Sequence, residues 1–120
     1  MDNRLRDVRV EQPRAGAAVV VFTGEHDAFT SEPVEELLGS LIEEHELVVV
    51  DFSEAEFVDS ATIFTLVKSY RAAQQRGSTF RLQLGTAPIV ARAFELSGML
   101  ELLDCAGSRE EALRNGGSSR

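Results

Sequence analysis

The chain opens with alternation: in "DVRVEQPRAGAAVVVFTGE" the apolar steps Val8 and Val10 are separated by charge, a turn through Pro13 and Gly16 follows, and Val19 to Phe22 form an unbroken apolar run. That pattern predicts a hairpin. Its second strand, apolar at consecutive positions, expects cover on both faces and so a place inside a sheet. Val34, Leu37, Leu38, Leu41 and Ile42 then recur at helical spacing with Glu35, Glu36, Glu43 and Glu44 opposite, which predicts a helix with one packed and one solvated face. Thr30 or Ser31 is its expected N-cap, with Pro33 in the first turn. "ELVVVDF" reads as a short, fully apolar strand. A second helix carries Ile63, Leu66, Val67 and Tyr70 on one side and ends at Gly77, which suits the left-handed residue past a helix end; Phe64 is read as core with Val67 by the same spacing. "TFRLQL" alternates Phe80, Leu82 and Leu84 with Arg81 and Gln83, as an edge strand with one wetter side does. Thr86 is expected to cap a third helix through Pro88, Val90, Ala93 and Phe94, ended by Ser97 and Gly98. "MLELL" reads as a short last strand or turn, and "SREEALR" as a small helix with a capping box from Ser108 to Glu111.

Strands separated by single helices imply parallel pairing through right-handed crossovers, and the opening hairpin adds one antiparallel edge. The expected fold is therefore α/β: a single mixed, mostly parallel β-sheet of four to five strands with about four helices. One domain over residues 1–114 and a flexible tail at 115–120, "NGGSSR", complete the expectation.

Composition narrows the function classes. At 120 residues with 43% hydrophobic and 27% charged positions, the chain is long enough for one core and too apolar for wholesale disorder. A formal net charge of -8 disfavours nucleic acid and raises the local concentration of basic partners. Cys105 is the single cysteine, which leaves no disulfide and no cysteine pair for zinc; it is read as a small core residue. The N-terminal stretch lacks a signal-like apolar segment, and no run approaches the roughly 20 apolar residues of a membrane span. A cytoplasmic protein, away from membranes, is expected.

Chemistry concentrates in "DFSEAEFVDSATIF", where Asp59, Ser60, Ala61 and Thr62 stand between two apolar runs. In open α/β sheets functional groups gather beyond the carboxyl ends of the strands. Two segments qualify, Gly24 to Thr30 after the second strand and Val58 to Thr62 after the third. If those strands are neighbours, Asp27 and Asp59 lie near each other with Ser60 at a helix start. Either Asp59 or Ser60 serves as an N-cap, and Asp27 as a solvated turn acid. Alternatively, Ser60 is a modifiable hydroxyl: a helix N-terminus stabilises an added anion by about 0.3–1 kcal/mol, while Asp27 and Asp59 oppose it.

"DFSEAEFVDSATIFTLVK" resembles the signature segment of STAS domains of the anti-sigma-factor antagonist family. "VVVFTGEHDAFTSEPVEELL" is similar to the family's second strand, acidic loop and first helix, and "ARAFELSGMLELL" to its third helix, Ser-Gly turn and final strand. The resemblance implies that Ser60 is the serine phosphorylated by a cognate anti-sigma factor, a serine-protein kinase of the histidine-kinase-like ATPase type. It implies that the unphosphorylated form binds that kinase and frees a sigma factor, that Asp27 is the acid beside the serine, and that a cognate phosphatase is a further partner. Glu25, His26, Ala28, Thr30 and Ala61 are candidate partner contacts by location, and Asp27, Asp59 and Thr62 the neighbours of the switch. The family's Asp-Ser-Ser-Gly or Asp-Ser-Thr-Gly is here Asp59-Ser60-Ala61-Thr62. That places a β-branched side chain at the helix entrance and makes Thr62 a minor candidate acceptor.

Catalysis fits poorly. A serine hydrolase built on Ser60 and His26 would lack the Gly-x-Ser-x-Gly elbow. A phosphoaspartate receiver would want a lysine after a late strand, whereas Lys68 falls inside a helix. A metal held by His26, Asp27, Asp59 and Cys105 is disfavoured, since loop acids are usually just solvated. No enzyme, no cofactor and no metal are expected. The alternative function is a STAS scaffold or partner-binding module in a stress-signalling, phosphatase or lipid-transport system without a phospho-switch.

Overall fold

The computed structural model describes residues 3–85, 88–98 and 100–114; the expected cap Thr86 and the tail 115–120 lie outside them. A 3-10 turn at Asn3–Leu5 precedes strand β1 (Val8–Arg14), β2 (Ala17–His26), helix α1 (Ala28–Glu44), β3 (Leu47–Val58), α2 (Ser60–Arg76), β4 (Thr79–Gln83) and α3 (Pro88–Ser97). A second 3-10 turn, Leu100–Leu102, leads to β5 (Asp104–Ala106) and the short α4 (Arg109–Ala112). The five strands lie in sequence order, β1 antiparallel to β2 and every later pair parallel. This is the mixed α/β sheet the pattern predicts. Pro13 falls within β1 rather than in the turn, where an edge strand tolerates its missing donor. Gly16 turns the chain instead, at φ 80.

The two sheet faces are filled differently. On one, Val20, Phe22, Val48, Val50, Phe52 and Leu82 pack against α1, α2 and α3. Phe22 and Phe52 stack at 4.6 Å between ring centroids, and Phe94 of α3 meets Phe52 at 5.7 Å. On the other, Ala17, Val19, Val21, Leu47 and Val49 share a smaller cluster with Ala106 and Ala112. Arg109 straps that side: its guanidinium bonds the Glu11 carboxylate of β1 and, at 3.1 Å, Asp51 of β3. The Arg109 contact, followed by Arg9, holds the Glu11 carboxyl below the usual carboxylate range.

Four further expectations change. β3 is not a short strand ending near Phe52; it runs to Val58. Its pairing with β2 shifts between Val21 and Thr23 and again between Gly24 and Glu25, each time with one extra residue in β3. Such bulges destroy the period-2 signal, and the Asp51 carboxylate stabilises the first by accepting the Ser53 N–H at 2.8 Å. β4 is not an edge strand, for β5 pairs outside it. Its Arg81 is buried by bonding Asp104 at 3.0 Å and the Ala112 and Arg114 carbonyls, so a polar alternation here marks internal ion pairing rather than solvent. Phe64 is 52% exposed and not core. Cys105 likewise is exposed on the edge strand. Its sulfur, which points toward the Leu103 carbonyl at 3.8 Å, is shielded enough that burial, then the Asp104 charge, push the thiol up to about 11. It stays protonated at neutral pH and is a poor nucleophile.

Candidate functional site

Parallel pairing of β2 and β3 brings their carboxyl ends level: His26 is in register with Val58, and the Asp59 N–H donates to the His26 carbonyl at 3.1 Å. The next residue on each strand is therefore an aspartate, and each starts a helix. Asp27, not Thr30 or Ser31, is the N-cap of α1; its Oδ1 accepts the Phe29 N–H at 2.9 Å. Asp59 is the N-cap of α2 and accepts the Thr62 N–H at 3.0 Å. Caps of this kind contribute about 1 kcal/mol each. The strand-to-helix handover thus needs no loop, and the stretch from Gly24 to Thr30 is strand end, a single capping residue and helix start.

Ser60 is the first residue of α2 and is exposed. Its neighbours divide sharply between surface and interior. Glu25, Asp27 and Ala28 are exposed, and Asp59, Ala61 and Thr30 are partly so. Thr30 is engaged locally, its hydroxyl donating to the Asp27 carbonyl at 3.1 Å. Thr62, by contrast, is 1% exposed, its Oγ1 buried without a hydrogen-bond partner in the structure. It is neither an obstacle at the helix entrance nor an accessible acceptor, because the side chain two residues past the exposed Ser60 turns toward the core.

His26 is also withdrawn from the surface, fully buried, and offers no side-chain contact to a partner. Its Nε2–H donates to the Thr23 carbonyl at 2.8 Å, Nδ1 lies 3.5 Å from the Thr30 hydroxyl, and the ring meets Phe22 edge-on at 4.9 Å. Burial holds the imidazole below its ordinary value, against the opposing pull of the Thr23 carbonyl and the Asp7 and Asp27 carboxylates. The unfolded chain takes up this proton at about pH 6.5, the folded chain only at lower pH. The unfolded state thus binds more protons on the acid side, so the stability contribution is complete above that value and fades as pH falls through the folded pKa. Urea midpoints measured from about pH 7 down to about pH 5.5 should fall for the wild type and fall less for His26→Gln; parallel slopes would mean that His26 does not titrate differently in the two states.

Three features near the caps escaped the sequence pattern. Phe29, on the first turn of α1, is 68% exposed with the Arg4 guanidinium 5.8 Å from its ring centroid. Phe64, one turn into α2, has the Lys68 ammonium 5.5 Å from its centroid. A cleft of about 590 Å3 beside Asp27 is lined by Arg4, Arg6, Glu25, Phe29 and Glu56 among others. Helical periodicity alone does not flag an exposed ring that falls within an apolar stretch, and nothing local places the N-terminal arginines beside α1. Among the described residues no helix is long and apolar enough to cross a membrane.

Comparison with known proteins agrees with this architecture. The family model described as STAS domain matches residues 9–112. An anti-sigma factor antagonist from Mycobacterium paratuberculosis superposes with a TM-score of 0.76 at 24% identity, over 88% of this chain and 89% of that one. The Bacillus cell fate determinant SpoIIAA in its phosphorylated form superposes with a TM-score of 0.67 at 20% identity, over 88% and 95%. A sulfate transporter family protein from Wolinella succinogenes gives a TM-score of 0.71 at 15% identity, over 86% of each chain. At such identities the likeness establishes a shared fold.

Proposed function

The chain belongs to the STAS domain family, and from that premise we propose that it is an anti-sigma-factor antagonist whose unphosphorylated form binds a cognate anti-sigma kinase and frees a sigma factor. In this reading Ser60 accepts the phosphoryl group and the protein works as substrate and binding module, without catalysis of its own, in the cytoplasm. The observation that carries the proposal is the exposed Ser60 hydroxyl at the start of α2, beside the cap Asp59 and the neighbouring strand's cap Asp27. Both carboxylates are engaged by backbone amides, which favours this placement of negative charge around the hydroxyl before any partner binds. Thr62 supports the assignment by exclusion, since its oxygen is buried.

Incubation with the cognate kinase and ATP should add one phosphoryl group, located at Ser60 by fragmentation mass spectrometry and absent from Ser60→Ala. Modification elsewhere, or none under saturating kinase, would refute the phospho-switch while leaving the fold untouched. A second reading is favoured by the fold shared with the Wolinella sulfate transporter family protein: a STAS module that docks a different partner without a phospho-switch. It predicts partner binding that is indifferent to charge at position 60.

A further inference from the structure

We infer that Phe64 is the apolar anchor of the docking edge, and that the protein partner it fits carries a hydrophobic slot bordered by a basic side chain. This inference rests on the proposed antagonist function.

Ser60, Phe64 and Lys68 stand at successive four-residue steps along α2 and are all exposed, so they form one strip, about 6 Å per step along the axis. Helical side chains lean toward the N-terminus, which carries the Phe64 ring toward the turn that begins at Ser60. The core face of α2 is already complete without it, through Ile63, Leu66, Val67 and Ala73. A lone exposed apolar residue is ordinary; the setting of this one is not. Lys68 rests its ammonium over the ring at 5.5 Å and bonds Glu35 of α1 at 3.0 Å. The neighbouring helix entrance repeats the arrangement with Phe29 and Arg4 at 5.8 Å. Both helix starts therefore present an exposed aromatic ring beneath a cation, next to the capping carboxylates.

The cover over Phe64 is easily displaced. Lys68 and Glu35 are each close to half exposed in their side chains, and a pair in that setting is held weakly. Glu25, Asp27, Glu32, Glu35 and Glu36 place exposed negative charge at the end of β2 and along the first turns of α1, outnumbering Arg4 and Arg6 of the adjoining cleft and Lys68, in a chain of net charge -8. A partner with a basic rim is complementary to that field. On docking, its cation takes Glu35 in place of Lys68, and the uncovered ring enters the slot. Aromatic side chains in such positions dominate binding when they become fully desolvated at the centre of an interface.

The test uses the intact protein and, as probes, the purified histidine-kinase-like anti-sigma ATPases of the source genome, titrated by calorimetry. Phe64→Ala should weaken the binding seen with the wild type by roughly 30-fold or more with an unchanged thermal midpoint, because the side chain supports no core. Phe64→Tyr, which keeps the ring, should retain binding. Glu35→Gln should bind more weakly and with a shallower dependence on salt. Ser60→Asp runs alongside as the separate control for the switch. Phe64→Ala binding within about threefold of the wild type, a loss too small for an anchor, while Ser60→Asp still releases, would overturn the anchor and spare the antagonist reading. Loss in Phe64→Ala with Ser60→Asp still bound would support the anchor and remove the switch. If none of the ATPases binds the wild type, both fall.

Discussion

Ser60→Asp should release the cognate kinase, with affinity reduced several-hundred-fold and the fold retained. Docking over Ser60 replaces water around a neutral hydroxyl with partner surface. A permanent carboxylate at that position must then be buried two turns away from the partner's cation, which pairs with Glu35 near Lys68, in a place where Asp59 and Asp27 already contribute negative charge. An unpaired charge in an interface costs roughly 3–4 kcal/mol, and each 1.4 kcal/mol is a factor of ten. A phosphate, with about 1.5 to 2 charges, acts in the same sense and further. Since both caps are bonded to backbone amides at 2.9 and 3.0 Å, turning away would cost each its cap, about 1 kcal/mol. Isothermal titration of Ser60→Asp and Ser60→Ala separates charge from the mere loss of the hydroxyl. Equal affinity of the two variants would mean that position 60 is outside the interface.

Two glycine-to-alanine substitutions should move stability in opposite directions. Gly85 follows β4 at φ 73, and a Cβ there would lie 2.6 Å from the Ser53 Cα and 2.7 Å from its Cβ. The first of those atoms is backbone, held in β3 beside the bulge that Asp51 stabilises, so it cannot swing aside. Left-handed strain and overlap together should cost Gly85→Ala roughly 3 kcal/mol. Gly39 is inside α1 with nothing within 4 Å of its ideal Cβ. There alanine restrains the unfolded chain without a clash, and Gly39→Ala should gain about 0.4–1 kcal/mol. Chemical denaturation of both variants checks the pair; a destabilised Gly39→Ala or an unaffected Gly85→Ala would contradict the packing described.

How much of this was legible in the chain depended on whether the relevant signal was local. The hairpin, the buried second strand and the parallel order of the rest follow from runs such as Val19 to Phe22 and from the single helices between strands. A cap at Asp59 or Ser60 was legible from the apolar helical pattern that follows, and the structure selects Asp59. Asp27 did not, because β2 continues through His26 and Thr30 and Ser31 offered equally good local chemistry; only the register with β3 decides. The "EAEFV" end of β3 hid behind two bulges, which scramble alternation. Arg81 looked solvent-facing because its partners, Asp104 and the carbonyls of Ala112 and Arg114, arrive more than twenty residues later. Phe64 and Thr62 exchanged their expected roles, since helical phase near a helix start differs by one or two positions between core and surface. The exposed serine beside two acids survived these errors, because it depends on strand ends that parallel pairing must align.

The Arg109 strap carries an implication for how the protein is made. Synthesis delivers β1, β2 and β3 first, and the helices after β2 and β3 supply cover for one side of the growing sheet. Val19, Val21 and Val49 on the reverse side share their cluster with Ala106 and Ala112, and the ionic tie from Arg109 reaches back 98 residues to Glu11. A nascent chain halted on the ribosome before that stretch emerges therefore holds a half-finished layer with a naked valine strip. Such incomplete species are the adhesive ones, so for this protein the interval between the third strand and the fourth helix is when a chaperone matters most.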